Sequence, residues 1–99
     1  SRYLQIKEIC RIAEETSLPF IVAGDFNSSE RSEVINTLDE HFTRTCNNCP
    51  PTFGEDGETG AIDFIAFKPK ETFAILSHNV VRNKTASDHM PVVAELQVK

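Results

Sequence analysis

Three short segments of this 99-residue chain set polar side chains directly beside apolar runs. They are GDFN with Asp25 and Asn27, IDFI with Asp63, and SDHMPV with Asp88 and His89. A carboxylate can hold a hard cation or a water molecule, and an amide can donate a hydrogen bond to a phosphate oxygen. An imidazole can carry a proton or a positive charge near neutral pH. These residue types therefore suit the binding of a divalent cation and a phosphate group.

The second segment carries the strongest constraint, because Asp63 interrupts the otherwise apolar run AIDFIAF. A buried carboxylate must be paired, hydrogen-bonded or metal-bound, since it loses its hydration. His89 is the candidate partner, and an Asp–His pair fixes the imidazole tautomer and favours its protonated form. Asp88 and His89 are neighbours whose side chains diverge on an extended segment, so we expect one on metal and one on substrate. Asp25 and Asn27 point the same way if their segment is extended.

The elements that position these residues begin with a helix and a strand. Apolar residues recur at positions 6, 9, 10 and 13, which predicts an amphipathic helix over 2–16. Pro19 cannot continue that helix, so a short turn follows. The run FIVA at 20–23 predicts a strand buried on both faces. The first polar segment then lies at the carboxyl end of this strand, where α/β sheets usually bind ligands.

A second helix is predicted after the first polar segment. Ser28 or Ser29 is the expected N-cap, and the helix runs to about Glu40. Its first turn holds Glu30 and Glu33, which suits the positive end of the helix dipole.

The second half of the chain is rich in strand patterns. We predict a weak strand within 41–46 and stronger strands at 61–67, 73–81 and 91–98, with a loop at 82–90. The predicted fold class is therefore α/β, with a mixed but mainly antiparallel β-sheet and two helices on one face.

Composition sets the outer limits. The chain is 39% apolar and 25% charged, which is typical of one soluble globular domain. No apolar run approaches the ~18 residues that cross a bilayer, so we expect no membrane span. The net charge of −5 argues against a DNA-binding module, because affinity for DNA comes largely from Lys and Arg.

The segments IVAGDFN, AIDFIAF and SDHMPV, in this order and at this spacing, resemble the endonuclease/exonuclease/phosphatase superfamily. This superfamily comprises Mg²⁺-dependent phosphoesterases related to deoxyribonuclease I. The resemblance implies a divalent-metal-dependent phosphoesterase with Mg²⁺ or Mn²⁺ as cofactor. The substrate implied is a phosphate ester, and the choice among a nucleic acid, a lipid headgroup and a small molecule stays open.

The resemblance also implies a role for each polar residue. Asp25 positions or deprotonates the attacking water and lies near the metal, to which Asp88 also contributes. Asn27 hydrogen-bonds the scissile phosphate. Asp63 pairs with His89, which binds a phosphate oxygen and stabilises the charge that builds there.

A basic pair, Arg82 and Lys84, precedes the third segment. Arginine and lysine side chains bind phosphate, so these two are candidates for substrate binding. A solvated loop is the alternative for both of them.

The resemblance covers residues 1–99 but matches only the C-terminal half of the family's domain, a four-layer sandwich of two sheets with helices outside. The family's N-terminal half supplies a metal-binding glutamate and covers one sheet face. We therefore expect that missing half as a partner, and we expect the isolated chain to be inactive or nearly so. An uncovered apolar sheet face also predicts self-association or instability.

Two other kinds of function remain open. One is a non-catalytic binding or scaffold module that keeps the fold without the chemistry. The other uses Cys46 and Cys49, which could bind zinc with His41 and either His78 or Cys10, or act as a redox pair. Three cysteines do not suggest a disulfide framework, so plain loop cysteines are the favoured interpretation.

Overall fold

Two helices cover one face of a small antiparallel sheet in the computed structural model, which describes residues 2–53, 60–82 and 89–99. The elements in chain order are α1 (Arg2–Glu14), β1 (Phe20–Asp25), α2 (Glu33–His41), β2 (Thr43–Arg44), β3 (Asp63–Lys68), a 3₁₀ turn (Lys70–Thr72), β4 (Phe73–Val80) and β5 (Val92–Val98). None of the helices in these ranges has the length and apolar character needed to cross a membrane.

The strands form two sheets. One has the order β1–β3–β2, and the other is the hairpin-like pair β4–β5. Every pairing is antiparallel, and the register sets Ile21 opposite Phe67 and Asp25 opposite Asp63. The α/β class and the mainly antiparallel pairing are confirmed, although the strands divide between two sheets where the sequence suggested one.

The hydrophobic core lies between the helices and the first sheet. Alternate residues of a strand point to opposite faces, so Phe64 and Ala66 of β3 both turn towards the helices. They pack in one cluster with Ile6 of α1 and with Ile35 and Leu38 of α2, all fully or almost fully buried. The predicted apolar stripe of α1 is therefore confirmed, and the opposite face of β3 is left to carry Asp63.

The prediction that the run FIVA is buried on both faces is wrong. Ile21 is 52% exposed, and only Phe20 and Val22 pack against the core. The reason is that the helices cover only the face that carries Phe20 and Val22, whereas Ile21 points to the opposite face, which the described residues leave open. The strand also continues to Asp25 through Gly24, whose φ of 145° lies in a region that favours glycine.

The predicted start of α2 is also wrong. The helix begins at Glu33, and its N-cap is Ser32, whose hydroxyl accepts a hydrogen bond from the Ile35 N–H at 3.2 Å. Arg31 has a φ of 70°, which no α-helix contains, so the helix cannot begin earlier. Glu33 is in the first turn as predicted, whereas Glu30 lies outside the helix.

A buried contact joins the two sheets. The His78 Nδ1 on β4 lies 2.6 Å from the hydroxyl of Thr45, which follows β2 and is itself buried. The His78 Nε2 is also buried and has no hydrogen-bond partner among the described residues. This burial lowers the pKa of His78 below its ordinary value of 6.5, so folding favours the neutral imidazole.

We therefore expect His78 to lower the stability of the folded protein in acid. The unfolded chain takes up a proton near pH 6.5, whereas folded His78 does so only at lower pH. The free energy of unfolding should then fall as pH drops from 7.5 to 5.5. His78→Asn keeps a polar atom near Thr45 but does not titrate, so it should show a smaller fall. Urea unfolding at both pH values measures this, and equal falls in both proteins would contradict the expectation.

Candidate functional site

The antiparallel register brings two of the candidate carboxylates together. Asp25 is the last residue of β1 and Asp63 the first of β3, and the two are direct partners across the strands. Directly opposed residues share a face of the sheet, with their Cβ atoms about 5 Å apart. The Phe26 N–H donates to the Ile62 carbonyl at 2.9 Å, which extends the pairing past the strand ends. Both carboxylates therefore lie on the face away from the helices.

His89 completes a cluster with these two carboxylates. Its Nδ1 lies 2.9 Å and 3.2 Å from the two carboxylate oxygens of Asp63. Its Nε2 lies 3.6 Å from the Oδ2 of Asp25. The Asp63 side chain is 15% exposed and that of Asp25 is 44% exposed. The nearly buried carboxylate thus holds one side of the imidazole and the solvated carboxylate faces the other.

The segment Asp25–Asn27 forms a turn, so the condition under which the two side chains would point the same way is not met. The Asn27 N–H donates to the Oδ1 of Asp25 at 2.7 Å, and Asn27 has a φ of 50°. Asp and Asn favour such turns because their short polar side chains bond nearby backbone groups. Because of this turn, the alternation of a strand no longer relates the exposed side chain of Asn27 to that of Asp25. Both residues remain at the same end of β1.

The remaining predicted site residues are not gathered here. Arg82 follows β4 and is exposed, and no described residue links it to the cluster. Lys84 and Asp88 lie outside the described residues, so their predicted roles in substrate and metal binding stay predictions.

Two neighbours of the cluster were missed in the sequence. Thr52 is completely buried, and its Oγ1 accepts the N–H groups of Ile62 and Asp63 at 3.0 and 3.2 Å. The ring of Phe53 packs against the imidazole of His89, with 4.6 Å between ring centroids. Neither residue is of a titratable or metal-binding type, and both lie in a proline-rich loop, so their pattern carries no chemical signal.

The prediction of plain loop cysteines is wrong, because Cys46 and Cys49 form a disulfide. The zinc alternative is not assembled either. His41 lies 3.1 Å from a Glu14 carboxylate oxygen. Cys10 is buried in the core, and burial raises the pKa of its thiol. A sulfur already bonded to another sulfur cannot serve as a thiolate ligand.

The disulfide loop is fastened to the segment that follows Asp25. The Cys49 N–H donates to one oxygen of Glu30 at 2.8 Å, and Arg44 donates to the other at 2.6 Å. Burial alone would raise the pKa of Glu30, but these hydrogen bonds bring it below its ordinary value. Arg44 also lies 5.5 Å above the ring of Phe64, the neighbour of Asp63. Arg44 also donates to the Cys49 Sγ at 3.5 Å, so it links the disulfide loop to the neighbour of Asp63.

The cluster could hold a metal ion. Asp25, Asp63 and His89 each offer a ligand atom, and these atoms lie within 4.8 Å of one another. Asp63 is already engaged by the imidazole, so Asp25 is the carboxylate most available to a cation. Oxygen ligands suit Mg²⁺ or Mn²⁺, and both ions keep several waters when few protein ligands are present. The donor set therefore fits an exposed, water-rich magnesium or manganese site.

No family model, curated protein or solved structure matches this chain.

We expect the disulfide to stabilise the fold by a modest amount. Closing so short a loop restricts the unfolded chain by about 2 kcal/mol. A phosphine reductant should therefore lower the melting temperature of the native chain. The double variant Cys46→Ser/Cys49→Ser should melt at the reduced value and should not respond to the reductant. A native chain that melts at the same temperature with and without reductant would contradict this expectation.

Proposed function

We propose that this chain forms part of a divalent-metal-dependent phosphoesterase, which hydrolyses a phosphodiester or phosphomonoester with an activated water. The observation that carries the proposal is the cluster in which Asp63 holds His89 and His89 faces Asp25. The cluster thus contains a nearly buried carboxylate, an imidazole and a solvated carboxylate in this order. Such a cluster can bind an anion and can orient or deprotonate a water molecule beside it.

His89 is the group that contacts phosphate in this proposal. Asp63 accepts a hydrogen bond from the Nδ1, and the Nε2 is directed towards Asp25, the more exposed carboxylate of the cluster. With a proton on both nitrogens, the ring donates to a phosphate oxygen and stabilises negative charge that develops there. Donors held in place before the reaction stabilise a transition state effectively, because they need no reorganisation.

Asp25 is the group that orients or deprotonates the attacking water in this proposal. Its Oδ1 accepts a hydrogen bond from the Asn27 N–H, its Oδ2 lies 3.6 Å from the His89 Nε2, and the side chain is 44% exposed. A carboxylate in this position can accept a proton from a water molecule or orient it. The side chain of Asn27 lies at the same strand end and donates to the scissile phosphate.

The cofactor in this proposal is Mg²⁺ or Mn²⁺. Asp25 contributes a ligand, and Asp88 contributes another according to the family resemblance. A bound divalent cation supplies positive charge that lowers the pKa of water and neutralises phosphate. Arg82 and Lys84 remain candidates for binding the rest of the substrate.

A second polypeptide segment completes the domain in this proposal, namely the family's N-terminal half. Large apolar side chains are exposed on the sheets: Ile21, Ile75, Leu76, Val93 and Val98. Within the described residues, β4 and β5 pair only with each other, so each keeps one unpaired edge. Soluble proteins rarely leave such surface uncovered, which supports a covering segment.

Hydrolysis of bis-p-nitrophenyl phosphate with Mg²⁺ or Mn²⁺ tests the activity, and the longest form of the gene product is the enzyme to use. Asp25→Asn and His89→Gln should each lower kcat by about 100-fold or more, because each removes a group that acts in the transition state. The matched controls Asp39→Asn and His41→Gln should stay near the native rate. The 99-residue chain alone should be nearly inactive.

Two results would contradict the phosphoesterase proposal. One is a full-length protein that cleaves neither monoesters nor diesters with either metal. The other is full activity in Asp25→Asn or His89→Gln. Either result favours the non-catalytic binding or scaffold module, in which the cluster serves only as a hydrogen-bonded link between segments.

The proposal that a second segment covers the sheets leads to a separate prediction for the 99-residue chain alone. We expect it to self-associate, and Leu76→Lys or Val93→Lys should weaken the association because a charge is costly in an apolar contact. Leu18→Lys is the control, because Leu18 is at least as exposed as Leu76 but lies outside the strands. Sedimentation velocity over a range of concentrations measures this. A chain that stays monomeric at every concentration would argue against an apolar contact surface.

A further inference from the structure

Thr52 is hydrogen-bonded to both segments that carry the Asp63–His89 pair. Its Oγ1 accepts the N–H groups of Ile62 and Asp63, at 3.0 and 3.2 Å. Its backbone carbonyl accepts the N–H of Met90, the neighbour of His89, at 2.8 Å. Its own N–H donates to the Gly60 carbonyl at 3.1 Å. Thr52 is also completely buried, so water does not compete for these bonds.

The next residue acts in the same place. Phe53 forms isolated bridges with both Gly60 and His89, and its ring lies 4.6 Å from the imidazole. The dipeptide Thr52–Phe53 therefore lies between the start of β3 and the segment that leads into β5. These two segments belong to different sheets, so the pairing within one sheet does not set the position of His89 relative to Asp63.

We propose that Thr52 is a positioning residue for the Asp63–His89 pair. Its hydroxyl fixes the position of the Asp63 backbone, and its carbonyl fixes the position of the backbone at Met90, next to His89. The imidazole then meets the carboxylate with its Nδ1 and keeps its Nε2 directed towards Asp25. The effect on catalysis rests on the proposed phosphoesterase function, whereas the effect on the geometry of the pair does not.

Two substitutions separate the hydrogen bonds of Thr52 from its packing. Thr52→Val keeps the shape of the side chain but removes the acceptor for Ile62 and Asp63. Thr52→Ser keeps the acceptor but removes a methyl group. A role in packing alone predicts that serine is the more harmful change. A positioning role predicts that valine is the more harmful change.

The first measurement is the state of the His89 imidazole at one fixed pH, read by long-range ¹H–¹⁵N NMR. In the native protein and in Thr52→Ser, His89 should keep a proton on Nδ1 that is shared with Asp63. In Thr52→Val, that signal should weaken or shift towards the one found in Asp63→Asn. His41, which ends α2 and pairs with Glu14, should be unchanged in all variants and serves as the internal reference.

The second measurement is steady-state hydrolysis by the full-length protein with Mg²⁺ or Mn²⁺. Thr52→Val should lower kcat by about 10- to 100-fold with little change in KM, because misplaced groups lose transition-state contacts. Thr52→Ser should stay within about twofold of the native kcat, since it keeps the acceptor that fixes the geometry. If valine prevents folding, Thr52→Cys, whose sulfur is a weak acceptor, takes its place.

The outcomes distinguish the two proposals. An NMR change in Thr52→Val with an inactive native enzyme supports positioning by Thr52 and contradicts the phosphoesterase function. An active native enzyme with unchanged His89 signals in Thr52→Val overturns the positioning role alone. Equal losses of the His89 signal in the serine and valine variants also overturn it, since packing would then account for both.

Discussion

The hydrogen bond between Asp63 and His89 is the interaction on which the rest of the site depends. Asp63 begins an apolar strand, and its side chain is only 15% exposed, so its carboxylate is largely withdrawn from water. Such a group needs a partner, and the imidazole supplies one at 2.9 Å. His89 lies in the segment before β5, whereas Asp63 lies on β3. The hydrogen bond between them therefore links the two sheets at the site.

The division of β3 into two faces makes this coupling possible. One face packs under both helices, while the other face carries Asp63 at the first position of the strand. The edge strand β1 then places Asp25 next to Asp63 through backbone pairing alone. A rigid scaffold of this kind holds reacting groups more accurately than a loop does. The disulfide loop adds a second support through Glu30 and Arg44.

The parts of this arrangement that follow from local chemistry were predictable. The cost of a buried carboxylate led from Asp63 to His89, and apolar periodicity gave α1 and the main strands. The failures come from tertiary context. An apolar run does not say whether tertiary packing covers one face of a strand or both, which is why the burial of Ile21 was overestimated. Two cysteines in a loop do not reveal their redox state, and Thr52 acts through backbone groups that no sequence motif marks.

The site and the uncovered surface are two aspects of one geometry. Asp25 lies four positions after Ile21 on β1, and alternate residues share a face, so both project from the face that the helices leave open. A segment that covered Ile21 on this face would also border Asp25 and the neighbouring His89. It could then contribute metal ligands and exclude water, which strengthens the electrostatic interactions within the cluster. Completing the hydrophobic layer and completing the catalytic centre are therefore the same structural event in the function proposed here.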